Sequence, residues 1–340
     1  MREVFSIVLV IIGALIGAGF ASGQEIYAFF YSYGAVGLIG IIVTCFFISL
    51  IIYKSLKLIC KNEIDNYDEF LKLFIRNEKV TKVINIILNI LLLVTFYIMI
   101  AGFGAYFEQE IGISRFIGSA ILAIISAIVF FTSVKGVLKV SQYIVPILIL
   151  CVAIIGIINL FTLNPEIELT VIKKGWLLSS ILYCSYNIIL LIPVLISLRN
   201  QIKKQSNIKY ISIISGILMI IMSIIVFMLL IKSDVDISTL EMPVVYVIRT
   251  FFYQFETIYA FIILSSILTT AISIGIGFLQ NICKNKKSYP QFVFFMCITS
   301  LIISNFGFSK LVNFLYPVFG YIGILQMIFL LKKYCKKTVL

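Results

Sequence analysis

Apolar runs of about 20 residues, the length a helix needs to cross a bilayer, recur along the whole 340-residue chain and leave no stretch for a separate soluble domain. Ten can be drawn: roughly 4–32 (interrupted), 34–53, 81–107, 113–134, 140–162, 175–198, 210–231, 256–282, 289–306 and 310–331. Backbone in lipid must satisfy its own hydrogen bonds, so each run is predicted to be helical and the chain to be an all-α integral membrane protein. Charged residues make up only 12%, against about 25% in a soluble globule.

The net charge of +12 suggests a nucleic-acid partner until its distribution is examined. If the N-terminus is inside, 21 of the 27 basic residues fall on that side, and only Arg115, Lys173, Lys174, Lys232, Arg249 and Lys310 fall on the other. This asymmetry predicts a plasma-membrane protein with both termini cytoplasmic and an even number of spans. It also makes the basicity topological, with no nucleic acid involved. Seven cysteines lie in spans or on the lysine-rich side, so no structural disulfide is expected. The chain has no histidine, which excludes a histidine relay or a histidine metal site. Met1-Arg2 followed by apolar residues and Ala21-Ser22-Gly23 mimics a cleavable signal, but no soluble mature domain follows, so the segment is read as a retained first span.

That first span carries a fault. It reads Gly13-Ala-Leu-Ile-Gly17-Ala-Gly19-Phe-Ala-Ser22-Gly23-Gln-Glu25, with three glycines in the seven residues from Gly17 to Gly23. Each glycine weakens a helix by about 1 kcal/mol relative to alanine. Non-helical backbone at membrane depth persists only where protein buries it or a cavity wets it. A broken first span therefore predicts a site, and Glu25, an ionisable group within the span, marks it.

The two longest connectors suggest a repeat. Residues 54–80 contain a short helical pattern at Phe70, Leu71, Phe74 and Ile75 on the lysine-rich side, and residues 232–255 end in an apolar helix beginning near Pro243 on the other. Both follow the second span of a five-span half and lie on opposite membrane faces. The expected architecture is thus ten transmembrane helices in a five-plus-five inverted repeat, 1–162 and 163–340, within one membrane domain. The repeat predicts an interrupted sixth span to match the first. Ser185, Tyr186 and Asn187 with downstream Pro193 supply the candidate break, about 15 Å deep at 1.5 Å per residue, close to the roughly 12 Å of Glu25.

Gly-Ala-Gly-Phe-Ala-Ser-Gly-Gln-Glu in the first span, Ser-Tyr-Asn in the sixth and the five-plus-five arrangement resemble the amino acid–polyamine–cation (APC) superfamily with its LeuT-type fold. The chain looks most like the bacterial YkvI-type group of amino acid permease-like proteins. The resemblance spans the whole chain, though only the first-span motif is specific. It implies secondary transport of a small amino-acid-like solute by alternating access.

The candidate substrate site comprises Gly17, Gly19, Ala21, Ser22, Gly23 and Glu25 in the first span, Ser185, Tyr186 and Asn187 in the sixth, and Tyr97 in the third. Free backbone N–H groups after Gly17 suit a substrate carboxylate. Unwound carbonyls before them suit a cation. Ser22-Gly-Gln-Glu25 also fits a capping box, in which Glu25 reaches back to a backbone N–H, and both readings require the break. By the resemblance, Thr269 and Thr270 with Ser266 match the hydroxyl pair and small residue that hold sodium against the first span, where Ala14 and Gly17 would add carbonyls. Such hydroxyls also pack ordinary membrane helices. Proton-coupled relatives can place a lysine in the fifth span, and residues 140–162 have none, which favours sodium over a proton. Tyr97, as a lone aromatic, is more often a packing residue, Asn85 and Asn89 are expected to bond neighbouring helices, and Asn313, Tyr316 and Pro317 to kink and pack the tenth span.

The expectation is a symporter of an amino acid or similar small zwitterion, with sodium as the only added group and no other cofactor. The same fold could instead serve a non-transporting ligand sensor such as a germinant-receptor-type subunit. An enzyme is disfavoured, because Glu25 has no second intramembrane carboxylate beside it.

Overall fold

The computed structural model describes residues 2–75, 77–131, 135–162, 173–283 and 288–337, and every regular element among them is helical. The first apolar run forms three pieces, α1 (Arg2–Leu15), α2 (Ala18–Ala21) and α3 (Gln24–Phe29). The chain continues through α4 (Val36–Lys61), α5 (Tyr67–Lys72), α6 (Glu78–Tyr106), α7 (Arg115–Phe131) and α8 (Lys135–Thr162). The second half comprises α9 (Trp176–Ser197), α10 (Asn207–Ile231), α11 (Pro243–Phe251), α12 (Glu256–Ile282), α13 (Tyr289–Ser304) and α14 (Phe308–Lys337).

Among the described residues six helices are long and apolar enough to cross a bilayer: those within Val36–Lys61, Glu78–Ile111, Trp176–Ser197, Asn207–Ile231, Tyr253–Ile282 and Phe308–Leu330. Glu3–Leu15, Arg115–Phe131, Pro146–Asn159 and Tyr289–Ser304 are shorter apolar helices. On α7 the exposed residues Ile117, Ile121, Ile124 and Ile128 recur at helical spacing. They form an outward apolar stripe that suits lipid.

α9 lies at the centre, flanked by α4 and α14. Its polar residues require this position: Ser179, Ser180, Ser185 and Asn187 are all buried, and lipid offers them no partner. α14 packs against it through Gly320 and Gly323, where an added Cβ would come within 2.6 Å of Leu182 O and 2.3 Å of Ser185 O. Small residues of this kind let membrane helices approach backbone to backbone.

Both connector helices form where the sequence places them. α5 starts at Asn66, whose side chain accepts from Glu69 N, and it buries Phe70 and Leu71. α11 starts at Pro243, which supplies a preset φ and lacks an N–H that would have no helical partner there. Its residues Val244, Val245, Val247 and Ile248 are buried.

The sixth span corrects one expectation: α9 is continuous from Trp176 to Ser197, with Pro193 inside it. Ser185 Oγ donates to Ile181 O at 2.6 Å and Asn187 Nδ2 to Tyr183 O at 2.9 Å. Both side chains bond carbonyls of their own helix four residues back, so their polar groups find partners without the turn opening. α9 contains no glycine, and it runs through Pro193 without ending there.

Candidate functional site

The first span breaks twice. Gly17 is extended (φ −85°, ψ −172°) and ends α1, while Gly23 (φ +84°) is left-handed and separates α2 from α3. Only glycine adopts the second conformation without strain. Breaking a helix at membrane depth frees backbone groups that must find partners, and neighbouring elements supply them. Tyr259 of α12 donates its hydroxyl to Ala21 O at 2.5 Å, and Val244 N of α11 donates to Ser22 O at 2.9 Å. Ser22 Oγ donates to Gly19 O at 2.9 Å and accepts Gln24 N at 3.3 Å.

The inserted Gly23 becomes the residue that precedes α3, so Glu25 falls in the first turn and faces α9. Glu25 is 2% exposed. Oε2 accepts the Tyr183 hydroxyl at 3.0 Å and Oε1 the Tyr186 hydroxyl at 3.4 Å. The capping arrangement is thus only half present: Ser22 meets Gln24 N, but Glu25 turns to α9 instead of back to the backbone. Gly19 lies directly beneath, where a Cβ would stand 2.3 Å from Oε1. Tyr186 stacks on Tyr316 of α14 with ring centroids 4.4 Å apart, and Tyr183 is wedged between Phe29 and Phe30 at 5.1 and 5.0 Å. Among the described residues no basic side chain forms an ion pair with Glu25.

Of the residues singled out in the sequence, the structure brings together Gly19, Ala21, Ser22, Gly23, Glu25 and Tyr186. Ser185 and Asn187 are spent within α9. Tyr97 bonds Thr299 of α13 at 2.6 Å, so its hydroxyl belongs to a helix pair outside the Glu25 network. Asn85 bonds Asp68 of α5, a neighbouring helix as expected, whereas Asn89 bonds Asn85 O one turn back within α6 and not a neighbouring helix. On α12, Ser266 and Thr269 are buried and Thr270 partly so. Thr269 Oγ1 bonds Ser265 O at 2.9 Å and Ser266 O at 3.1 Å, leaving oxygen lone pairs for another ligand. Gly17 has open space beside it and Ala14 is exposed.

Tyr183 was not singled out in the sequence, although it makes the shorter of the two bonds to Glu25. Tyr183 and Tyr186 are three apart, a spacing that puts both phenols on one face of α9, and this was a readable signal. Tyr316 stacks on Tyr186 from a helix distant in sequence, which no local pattern announces.

On the lysine-poor side, α11 is also tied to the rest of the protein by charge. Arg115 pairs with Glu108 and, at 2.8 Å, with Glu241, whose other oxygen accepts Ser309 N at 2.7 Å. Gln109 Oε1 accepts both Glu241 N and Met242 N at 2.9 Å, and Arg249 pairs with Glu110 at 3.1 Å. Together these contacts hold α11 over the broken span. Among the described residues no cluster of three or more acidic or cysteine side chains could hold a metal ion.

No family model matches the chain. Its fold is shared with two variants of the Eremococcus coleocola manganese transporter. These crystal structures superpose with TM-scores of 0.63 and 0.62 at 12% and 11% identity, over 96% of this chain and 77% of each of theirs. In sequence it is 26% identical over 328 residues to the uncharacterised protein YyaD of Bacillus subtilis, covering 95% of this chain and 94% of that one. It is 30% identical over 337 residues to the uncharacterised membrane protein YkvI of the same organism, covering 97% of this chain and 94% of the relative. The chain belongs to the YkvI family of membrane proteins.

Proposed function

We propose that this protein is a secondary active transporter of the APC superfamily that carries an amino acid or similar small zwitterion by alternating access. The observation that carries the reading is Glu25, a buried carboxyl group at a double helix break, faced by two phenols and, among the described residues, by no basic partner. An isolated buried carboxylate costs several kcal/mol, so the site calls for a mobile positive charge. A substrate ammonium, a sodium ion or a proton each supplies one. One carboxylate balances one such charge and leaves a divalent ion half-neutralised, so the manganese of the fold neighbours is not carried over to this chain.

In this reading the halves 1–162 and 163–340 form the inverted repeat. The first, second, sixth and seventh spans rock against the rest, with both termini in the cytoplasm. Sodium is the first choice of coupling ion, held by carbonyls of Ala14 and Gly17 and hydroxyls of Ser266, Thr269 and Thr270. This donor set consists of the hard oxygens such an ion prefers. The test is uptake of a labelled amino acid pool into proteoliposomes under an inward sodium gradient, a proton gradient or neither. Uptake driven by sodium supports the whole reading; uptake driven by protons moves the coupling role to Glu25; binding without uptake under any gradient favours a ligand sensor.

A further inference from the structure

α7 and α13 pack side by side, and a groove of about 420 Å³ runs between them. Ala127, Phe131, Val293, Phe294 and Cys297 give it an apolar lining, to which Gln291 adds an amide. From Pro290 to Cys297 it follows α13 for about 10 Å at 1.5 Å per residue, most of the roughly 15 Å depth of one leaflet. It lies where both helices meet the lysine-rich side, since α7 ends at Phe131 and α13 begins at Tyr289. The Tyr289 hydroxyl donates to Phe130 O at 3.1 Å and fixes these two ends together.

The charge of the flanking sequence is one-sided. Residues 132–139 and 283–289 contain Lys135, Lys139, Lys284, Lys286 and Lys287 and no acidic residue. Chain length alone ties these lysines to the groove. At no more than about 3.6 Å per residue, the Cα of Lys287 stays within about 11 Å of that of Pro290, and the Cα of Lys135 within about 14 Å of that of Phe131. The longest connector on the same side differs, because residues 54–80 carry six basic residues against five acidic ones and nearly cancel.

We propose that this groove holds an anionic phospholipid, with an acyl chain between α7 and α13 and its phosphate on the side of the five lysines. An apolar groove alone would take the chain of any lipid. Unbalanced lysines at a membrane surface select the anionic ones, and the Gln291 amide can donate to the ester oxygens between chain and phosphate. The site is separate from Glu25, and neither it nor its test depends on what the protein carries.

The test is quenching of a single tryptophan by brominated lipid. Trp176, the chain's one tryptophan, is replaced by phenylalanine. A reporter is then placed in the groove as Phe294→Trp, or on α6 beside the nearly neutral connector as Ile86→Trp, both exposed positions. Each full-length variant is reconstituted into vesicles that mix phosphatidylglycerol and phosphatidylcholine, with bromine on one lipid or the other. At Phe294→Trp phosphatidylglycerol should be preferred by roughly tenfold or more, as expected when two or more lysines attract the headgroup. At Ile86→Trp the two lipids should quench about equally. Adding Lys286→Gln and Lys287→Gln to Phe294→Trp should remove most of the preference. Equal quenching by both lipids at Phe294→Trp overturns the proposal. So does the same preference at Ile86→Trp, which would describe the whole lipid annulus, or a preference that survives the lysine substitutions. Weak quenching by either lipid at Phe294→Trp means that protein, such as a second copy of the chain, covers the groove, and overturns it too.

Discussion

Replacing Gly19 with alanine adds one methyl group, 2.3 Å from Oε1 of Glu25 and 3.0 Å from its Cγ and Cδ. Nothing sits at such a distance, so either the carboxyl group or α2 must move. α2 is anchored at its end by Tyr259 on Ala21 O and by Val244 N on Ser22 O, whereas the carboxyl group is held by two phenols alone. It should therefore be the carboxyl group that shifts, stretching its bond to Tyr183. Overpacking of this kind costs about 1–3 kcal/mol, which as lost affinity is about 5- to 150-fold. Alanine's higher helix propensity, worth about 1 kcal/mol, offsets part of the stability loss but does not return the carboxyl group to its place. Gly277→Ala on α12 is the control, because the nearest atom to an added Cβ there is Leu92 Cδ1 at 3.9 Å, an ordinary contact. Adding Glu25→Asp to Gly19→Ala retracts the carboxyl group by one bond, about 1.5 Å, and should recover part of the loss. The assay is the half-saturation concentration for labelled amino acid uptake in proteoliposomes, read beside the unfolding temperature of each variant. Uptake unchanged in Gly19→Ala, or impaired equally in Gly277→Ala, would refute the placement of Glu25 over Gly19.

Tyr183→Phe removes the 3.0 Å donor and Tyr186→Phe the 3.4 Å one. Hydrogen bonds to charged groups are worth about 1.5–3 kcal/mol, so Tyr183→Phe should weaken uptake more, and the reverse order would contradict the geometry. Arg115→Ala strands Glu241 in a pair whose side chains are 18% and 19% exposed. An unfolding free energy lower by about 1–3 kcal/mol is expected, with Arg115→Lys intermediate in a thermal melt. Glu69 is held below its ordinary value of 4.5, first by the Asp65 N–H and then by Asn66 and Lys72. A depressed carboxyl pKa contributes stability above the unfolded value and loses it as pH falls through the folded one. Corrected hydrogen-exchange protection across α5 should therefore drop in acid below pH 4.5, and Glu69→Gln should abolish that dependence.

Much of this fold is legible in the sequence because lipid simplifies the code. Every apolar run holds a helix, and Pro243 and the glycine-rich stretch mark a helix start and a helix break where the structure has them. α9 was misjudged because Ser and Asn were treated as helix breakers. In α9 their side chains bond carbonyls four residues back, and the helix, which has no glycine, continues through Pro193. The site was half legible. Glu25 stood out as a carboxyl group in an apolar span, and Gly23 as one of three glycines that weaken that span. The orientation of Glu25 toward Tyr183 was hidden, because it depends on how α3 turns after Gly23. Tyr316 and Val244 reach the site from helices far away in sequence, and only the packing of α14 and α11 brings them there. Tyr97 looked equally plausible as a midspan aromatic, yet its hydroxyl is engaged by Thr299.

The most direct test of transport centred on Glu25 is counterflow, which needs no ion gradient. Proteoliposomes preloaded with unlabelled amino acids are placed in trace labelled amino acid, for the unmutated protein and for Glu25→Gln. The expected result is transient accumulation of label by the unmutated protein and its loss, or a changed pH or sodium dependence, in a Glu25→Gln protein that still folds. Undiminished counterflow with unchanged ion dependence in Glu25→Gln would remove Glu25 from the mechanism. Calorimetric binding without any counterflow by the unmutated protein would contradict transport itself.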